Sequence, residues 1–219
     1  MINKNRKIGL VGLILLLTFS NIYAQIDAQA KAILAGVSKK YRSYDMVKAE
    51  FSYGIKNPQA KINETQSGIL YIKSKLNKYK VLVGTQELIS DGKVQWTYLK
   101  NDNEVQISEI DNSTSALNPA QIFTIYEKGF KSVYLGDTKL NNRVYQNIEL
   151  APLDERSFSK IKLRIDKLDK QISNIVVYDK NGNVYTYLIK TFTPNVNVSE
   201  SMFSFDAKKY PGVDVVDLR

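Results

Sequence analysis

The side chains that run most enzyme chemistry are missing from this 219-residue chain, which has no His and no Cys. Without imidazole there is no His base, no Ser-His-Asp triad and none of the commonest transition-metal ligand. Without thiols there is no disulfide framework, zinc–thiolate site or cysteine nucleophile. The nearest approach to paired carboxylates is Asp154-Glu155 and the pair Asp166/Asp169. Paired carboxylates can share general acid and base work, but both clusters fall beside predicted turns, where acidic side chains are ordinarily solvated. No Gly-x-Ser-x-Gly elbow, phosphate-binding loop or metal-ligand spacing occurs. Catalytic residues, a metal and a cofactor are therefore not expected, and binding or carrying is.

What the chain has in quantity is rings: 14 Tyr and 8 Phe, with hydrophobic residues at 43% and charged residues at 24%. That is globular composition rather than disorder, and 219 residues suit one generous domain. The first 24 residues read as an address. Lys4, Arg6 and Lys7 precede a run from Ile8 to Phe19 that is apolar apart from two Gly and Thr18. A more polar stretch, Ser20 to Ala24, follows. This is the layout of a secretory signal cleaved after Ala24, and twelve residues fall short of the ~20 needed to span a bilayer. The mature chain is then a single domain over 25–219, with 28 basic and 22 acidic residues. Many of its Lys alternate with apolar residues, as in Lys160-Ile161-Lys162-Leu163, which is a solvated sheet face. An exported chain of this kind is not expected to bind nucleic acid. Nothing points to an obligate dimer, and a monomer is expected.

The elements that must position the rings follow from hydrophobic period. Gln25 to Tyr44 reads as an amphipathic helix with Ile33, Leu34, Val37 and Tyr41 on one face. From Val47 the period becomes two, and strand signals recur near 47–56, 65–73, 78–84, 86–90, 93–100 and 103–109. They resume near 131–137, 143–151, 158–167, 171–180 and 183–193. Asp91-Gly92 and Asn181-Gly182 are hairpin turns. About eleven strands joined by short turns predict one long antiparallel meander. A sheet that wide twists and curls, giving a mainly β half-barrel with helices over its concave side. Phe51, Tyr53, Tyr71, Tyr79, Trp96 and Tyr98 are candidate inward positions. They either fill a core or line a hollow.

One interruption breaks the strand pattern. After the polar run 111–118, Asn118 caps and Pro119 starts a predicted helix of about ten residues that stops at Gly129. Ile122, Phe123, Ile125 and Tyr126 form its apolar stripe. Such a helix lies across a sheet face, either capping the core or acting as a lid on a cavity. The binding candidates are thus Phe51, Tyr53, Leu70, Ile72, Trp96 and Tyr98 on strands, with Ile122, Phe123, Ile125 and Tyr126 on the inserted segment.

Several motifs, in order, resemble the periplasmic outer-membrane lipoprotein carrier family, LolA. Val47-Lys48-Ala49-Glu50-Phe51-Ser52 is similar to the family's first strand, and Gln66-Ser67-Gly68-Ile69-Leu70-Tyr71-Ile72-Lys73 to its second. Ser90-Asp91-Gly92-Lys93-Val94-Gln95-Trp96-Thr97-Tyr98 is the most specific match. Phe203-Ser204-Phe205 and Pro211-Gly212-Val213-Asp214-Val215 also fit. The resemblance implies a half-barrel with an apolar cavity that takes the acyl chains of lipoproteins. It implies loading by an inner-membrane lipoprotein-releasing transporter and delivery to an outer-membrane acceptor. A related half-barrel that binds or senses other lipids or glycolipids is the alternative. A sixteen-carbon chain exposed to water costs roughly 12 kcal/mol at ~0.8 kcal/mol per methylene, so such cargo needs a carrier. The family often has an Arg, followed by Pro and linked to lid closure, after its second strand. Here Ser74 stands at that position and Lys75, which lacks the guanidinium fork, is next to it.

Overall fold

The computed structural model describes residues 27–110 and 119–219, so the expected signal over 1–24 and the polar run 111–118 lie outside the described residues. Helix α1 covers 27–42. Its Ala30, Leu34, Val37 and Tyr41 are buried in the main core, with Ile33 packed at the margin. The predicted stripe thus faces the sheet. The strands are β1 (Val47–Asn57), β2 (Ile62–Lys73), β3 (Lys78–Val83), β4 (Gln86–Asp91), β5 (Val94–Leu99), β6 (Glu104–Glu109), β7 (Phe130–Leu140), β8 (Arg143–Pro152), β9 (Phe158–Asp166), β10 (Gln171–Asp179), β11 (Val184–Pro194) and β12 (Asp214–Asp217).

They form one open sheet in the order β12-β6-β5-β4-β3-β2-β1-β11-β10-β9-β8-β7. The expected half-barrel of about eleven antiparallel strands is present, with a short twelfth strand added parallel to β6 at one edge. The single long meander is not. Two meanders, β1 to β6 and β7 to β11, meet where β1 pairs with β11 at the centre. Short turns fix only neighbours in sequence. The long link between β6 and β7 has no such constraint, and it carries the chain from one side of the sheet to the far edge. The described part of that link, from Pro119, packs against β2 and β3.

Alternation sorts the side chains onto two faces. On the concave face Val47, Ala49, Phe51 and Tyr53 of β1 stand opposite Ile72, Leu70, Gly68 and Gln66 of β2. Beside these, Ile72, Leu70 and Gly68 stand opposite Tyr79, Val81 and Val83 of β3. Ile148, Leu150, Ile161, Leu163, Ile165, Ile175 and Val177 extend the same core across β8 to β10. Gly68 is needed where it sits, because a Cβ there would lie 2.5 Å from the Phe51 ring and 2.8 Å from the Leu82 carbonyl. The glycine lets Phe51 lie across β2. A bulge at Lys190 breaks the β1–β11 register, so that Ile189 lies opposite Phe51 and Phe192 opposite Ala49.

Among the described residues the C-terminal tail covers part of the convex face. The 3₁₀ turn Glu200–Phe203 packs on β3 and β4. Phe203, Ile89 and Val105 are fully buried there. Phe205 stacks on Tyr210 at 4.5 Å, and Tyr98 meets both rings at 5.6 and 4.7 Å. Lys73 and Lys78 both pair with Glu200, tying this tail to the sheet.

The predicted helix from Pro119 is absent. Two 3₁₀ turns, Pro119–Gln121 and Ile125–Glu127, stand in its place. Thr124 between them leaves helical space at φ −134°, ψ 3°. The segment is too short to repay helix nucleation, and the β-branched Ile122, Thr124 and Ile125 stiffen its middle.

Candidate functional site

A cavity of about 320 Å³ lies on the concave face near the sheet centre. Its floor and walls are Phe51 and Tyr53 of β1, Leu70 of β2, Val81 and Val83 of β3, Gln86 and Leu88 of β4, Ile175 of β10, and Tyr187 and Ile189 of β11. Pro119, Ile122 and Phe123 of the crossing segment close it from above. Among the described residues none in this lining is charged; its polar groups are the Gln86 amide and two tyrosine hydroxyls. A space of this shape and chemistry excludes ions and rewards apolar ligands by burial.

The closing segment is held to α1 and to β2. Phe123 stacks on Tyr41 at 4.7 Å with rings 2° from parallel, and Phe192 meets both rings edge-on. Tyr41 is pinned from below, its hydroxyl accepting the Ile172 amide N–H at 3.2 Å. Burial pushes the Tyr41 phenol well above its ordinary range, so it stays neutral. Ser38 Oγ donates to the Tyr126 hydroxyl at 3.3 Å. Arg42 forms a two-pronged ion pair with Glu127, and those bonds hold the Glu127 carboxyl below the usual range. Ser74 Oγ donates to the Ala120 carbonyl at 3.1 Å. The serine at the family's arginine position therefore does reach the closing segment, through one neutral bond. Lys75 does not, since it pairs with Asp45 at 2.8 Å.

The candidates read from sequence divide. Phe51, Tyr53, Leu70, Ile122 and Phe123 line the cavity. Ile72 is on the same face but is sealed in the core below it. Tyr126 is buried toward α1, and Ile125 packs against the core margin, so neither is in the lining. Trp96 and Tyr98 are on the opposite, convex face. Leu88 lies opposite Thr97, so Gln95, Thr97 and Leu99 share the concave face and Trp96 and Tyr98 do not. Ring size does not mark the inward face of β5, because the C-terminal tail supplies a second apolar environment in which Tyr98 packs against Phe205 and Tyr210.

Sequence reasoning missed Val81, Val83, Gln86, Leu88, Pro119, Ile175, Tyr187 and Ile189. The alternation on β3 and β11 was readable. Its phase relative to Phe51 required the β1–β11 pairing and the bulge at Lys190. Of the acidic clusters, Asp154-Glu155 lies in a loop, with Glu155 exposed 3.7 Å from Lys180, whereas Asp166 ends β9 and is buried, accepting the Leu168 and Asp169 amides of the following turn and pairing with Arg143.

Three comparisons bear on this architecture. An outer-membrane lipoprotein carrier protein of Idiomarina loihiensis (strain ATCC BAA-735 / DSM 15497 / L2-TR) is 24% identical over 203 residues, covering 89% of this chain and 92% of that one. An uncharacterised conserved protein from Thermus thermophilus superposes with a TM-score of 0.55 at 16% identity, covering 86% and 99% of the two chains. A LolA-superfamily protein from Nitrosomonas europaea is similar with a TM-score of 0.45 at 11% identity, over 81% and 98%. Residues 42–206 match the model of the outer membrane lipoprotein carrier protein LolA, and the chain belongs to that family.

Proposed function

We propose that this protein is a periplasmic carrier that holds lipoprotein acyl chains in the concave cavity and moves them from the inner to the outer membrane. The observation that carries this reading is an uncharged, mainly apolar cavity closed by a segment with separable contacts. Taking a methylene at about the volume of a water, 320 Å³ takes on the order of ten methylenes. At ~0.8 kcal/mol each, that burial is worth roughly 8 kcal/mol. This shelters about ten of the carbons of one sixteen-carbon chain, and the rest of the cargo enters as the closing segment swings out. A carrier must also let go, and the segment's neutral bond from Ser74 and exposed Arg42–Glu127 pair suit reversible closure.

The family name and the relative in Idiomarina support the cargo assignment. In this reading the 1–24 segment is removed after export and residues 25–219 act as one monomeric domain. An inner-membrane lipoprotein-releasing transporter loads it, and an outer-membrane acceptor unloads it. The test is native mass spectrometry of the protein purified from its own periplasm. A mass starting at Gln25 with acylated polypeptide bound is expected. Recovery with only phospholipid or glycolipid bound would instead select the alternative lipid carrier, and a chain retaining Met1 would overturn the export assignment.

A further inference from the structure

At one rim of the half-barrel three large apolar side chains stand in water instead of in the core. Leu140 is 50% exposed at the end of β7, Val144 37% near the start of β8, and Leu168 84% in the turn between β9 and β10. A single exposed leucine is ordinary, but a group on adjoining tips is not. The tips adjoin because the Lys167 amide donates to the Val144 carbonyl at 3.0 Å and the Lys167 ammonium pairs with Asp137 at 2.9 Å. The β8–β9 pairing stops at Tyr145, so the last pairs of the β7–β8 hairpin, Lys139–Val144 and Leu140–Arg143, project beyond it.

The exposure of Leu168 is built in. Asp166 Oδ1 accepts the Leu168 and Asp169 amides at 3.0 and 2.9 Å. Arg143 donates to both Asp166 and Asp169 at 2.7 Å, and Lys40 of α1 donates to the Asp169 carbonyl. These bonds fix the turn in a shape that leaves Leu168 outside. They also occupy the acidic groups of the rim, since Asp137, Asp166 and Asp169 each have a cation. Lys39, Lys139 and Lys170 are exposed and form no ion pair among the described residues. Lys139 stands opposite Val144. Lys170 follows Leu168 by two residues, and its stem lies 3.6 Å from where a Cβ on Gly36 of α1 would be. Lys39 is three residues further along that helix.

Apolar tips flanked by unpaired ammonium groups suit an anionic bilayer: the cations meet headgroup phosphates while the side chains enter the interface. A protein partner fits less well, because a stable interface needs about 800 Å² of matched shape on each side and narrow turns do not supply it. Fluid lipid needs no matched shape. We propose that this rim, formed by the β7–β8 and β9–β10 tips and the adjoining part of α1, is a docking surface for a bilayer containing anionic phospholipid. The inference goes beyond acyl carriage and does not depend on the cavity. Docking there brings the bilayer to the helix on which the closing segment is stacked through Tyr41 and Phe123.

The test is cosedimentation of the purified mature chain with vesicles of phosphatidylcholine containing phosphatidylglycerol, against phosphatidylcholine alone. At low salt the wild-type protein should bind the anionic vesicles at least tenfold more tightly, and added salt should remove most of that preference. Leu140→Gln/Leu168→Gln should weaken binding about tenfold, and Lys139→Gln/Lys170→Gln about fivefold for each lysine removed. Leu153→Gln, exposed just past the other end of β8, should bind as wild type does. All these side chains are exposed, so the variants should keep the wild-type melting temperature. Equal binding to both vesicles, undiminished binding by either double variant, or an equal loss in Leu153→Gln would each overturn the docking surface while leaving acyl carriage standing. An acyl probe read on the same protein separates the two readings, since its failure to bind would overturn carriage and leave the docking surface intact.

Discussion

Replacing Phe123 with alanine separates a lid from a fixed piece of core. Phe123 is 4% exposed, stacked on Tyr41, met edge-on by Phe192, and lines the cavity. Were its segment an integral part of the core, truncation would cost about 3–5 kcal/mol. At ~2–4 °C per kcal/mol for a domain of this size, the melting temperature would fall by roughly 6–20 °C. If the segment can leave, the loss is capped at its docking free energy. That energy is the burial of Ile122, Phe123, Ile125 and Tyr126, two neutral bonds of about 1 kcal/mol each from Ser74 and Ser38, and the solvent-screened Arg42–Glu127 pair. Against it stands the entropy of ordering about ten residues, on the order of 1 kcal/mol apiece. At ~1.5–3 kcal/mol per buried side chain the balance is on the order of 1 kcal/mol, so the variant opens before it unfolds. We expect a fall of less than about 5 °C in melting temperature, with retention of a fluorescent acyl probe weakened about tenfold or more. Differential scanning fluorimetry and probe release on the same sample give both numbers. A fall in the larger range, with the surviving folded fraction retaining probe as wild type does, would refute the lid.

Ser74→Ala removes the hydrogen bond from the turn after β2 to the Ala120 carbonyl. It should speed probe release about fivefold with little change in melting temperature, and an unchanged release rate would remove Ser74 from the closure. Glu127 has its folded-state pKa depressed chiefly by the Arg42 bonds. Its contribution is therefore present above the unfolded value near ~4.3 and is lost as pH falls through the lower folded value. Probe release should quicken on acidification through that window and do so less in Arg42→Ala, so an identical acid profile in the two proteins would contradict this. Phe203→Ala on the convex face should lower the melting temperature by roughly 6–20 °C without altering retention in the folded fraction. Trp96, the sole Trp, should keep its emission when a non-fluorescent acylated peptide saturates the cavity; a shift would put it back at the cavity.

The period-two alternation from Val47 onward, the Asp91-Gly92 and Asn181-Gly182 turns and the stripe of α1 were all local properties, and local chemistry specifies them. The absence of His and Cys likewise needs no structure to direct attention from catalysis to an apolar hollow. Three things were decided only by tertiary packing. Strands linked by a long connection choose partners by the faces they must bury, so β1 joined β11 and the chain between β6 and β7 became the cover of the cavity. A strand that alternates has two faces, and nothing within it says which is inward. In β5 the C-terminal tail settled that by burying Tyr98 beneath Phe205 and Tyr210. A single bulge at Lys190 set the phase that brings Tyr187 and Ile189 beside Phe51. Alternation is encoded residue by residue, but the face it offers to the cavity depends on what distant segments come to cover the other one.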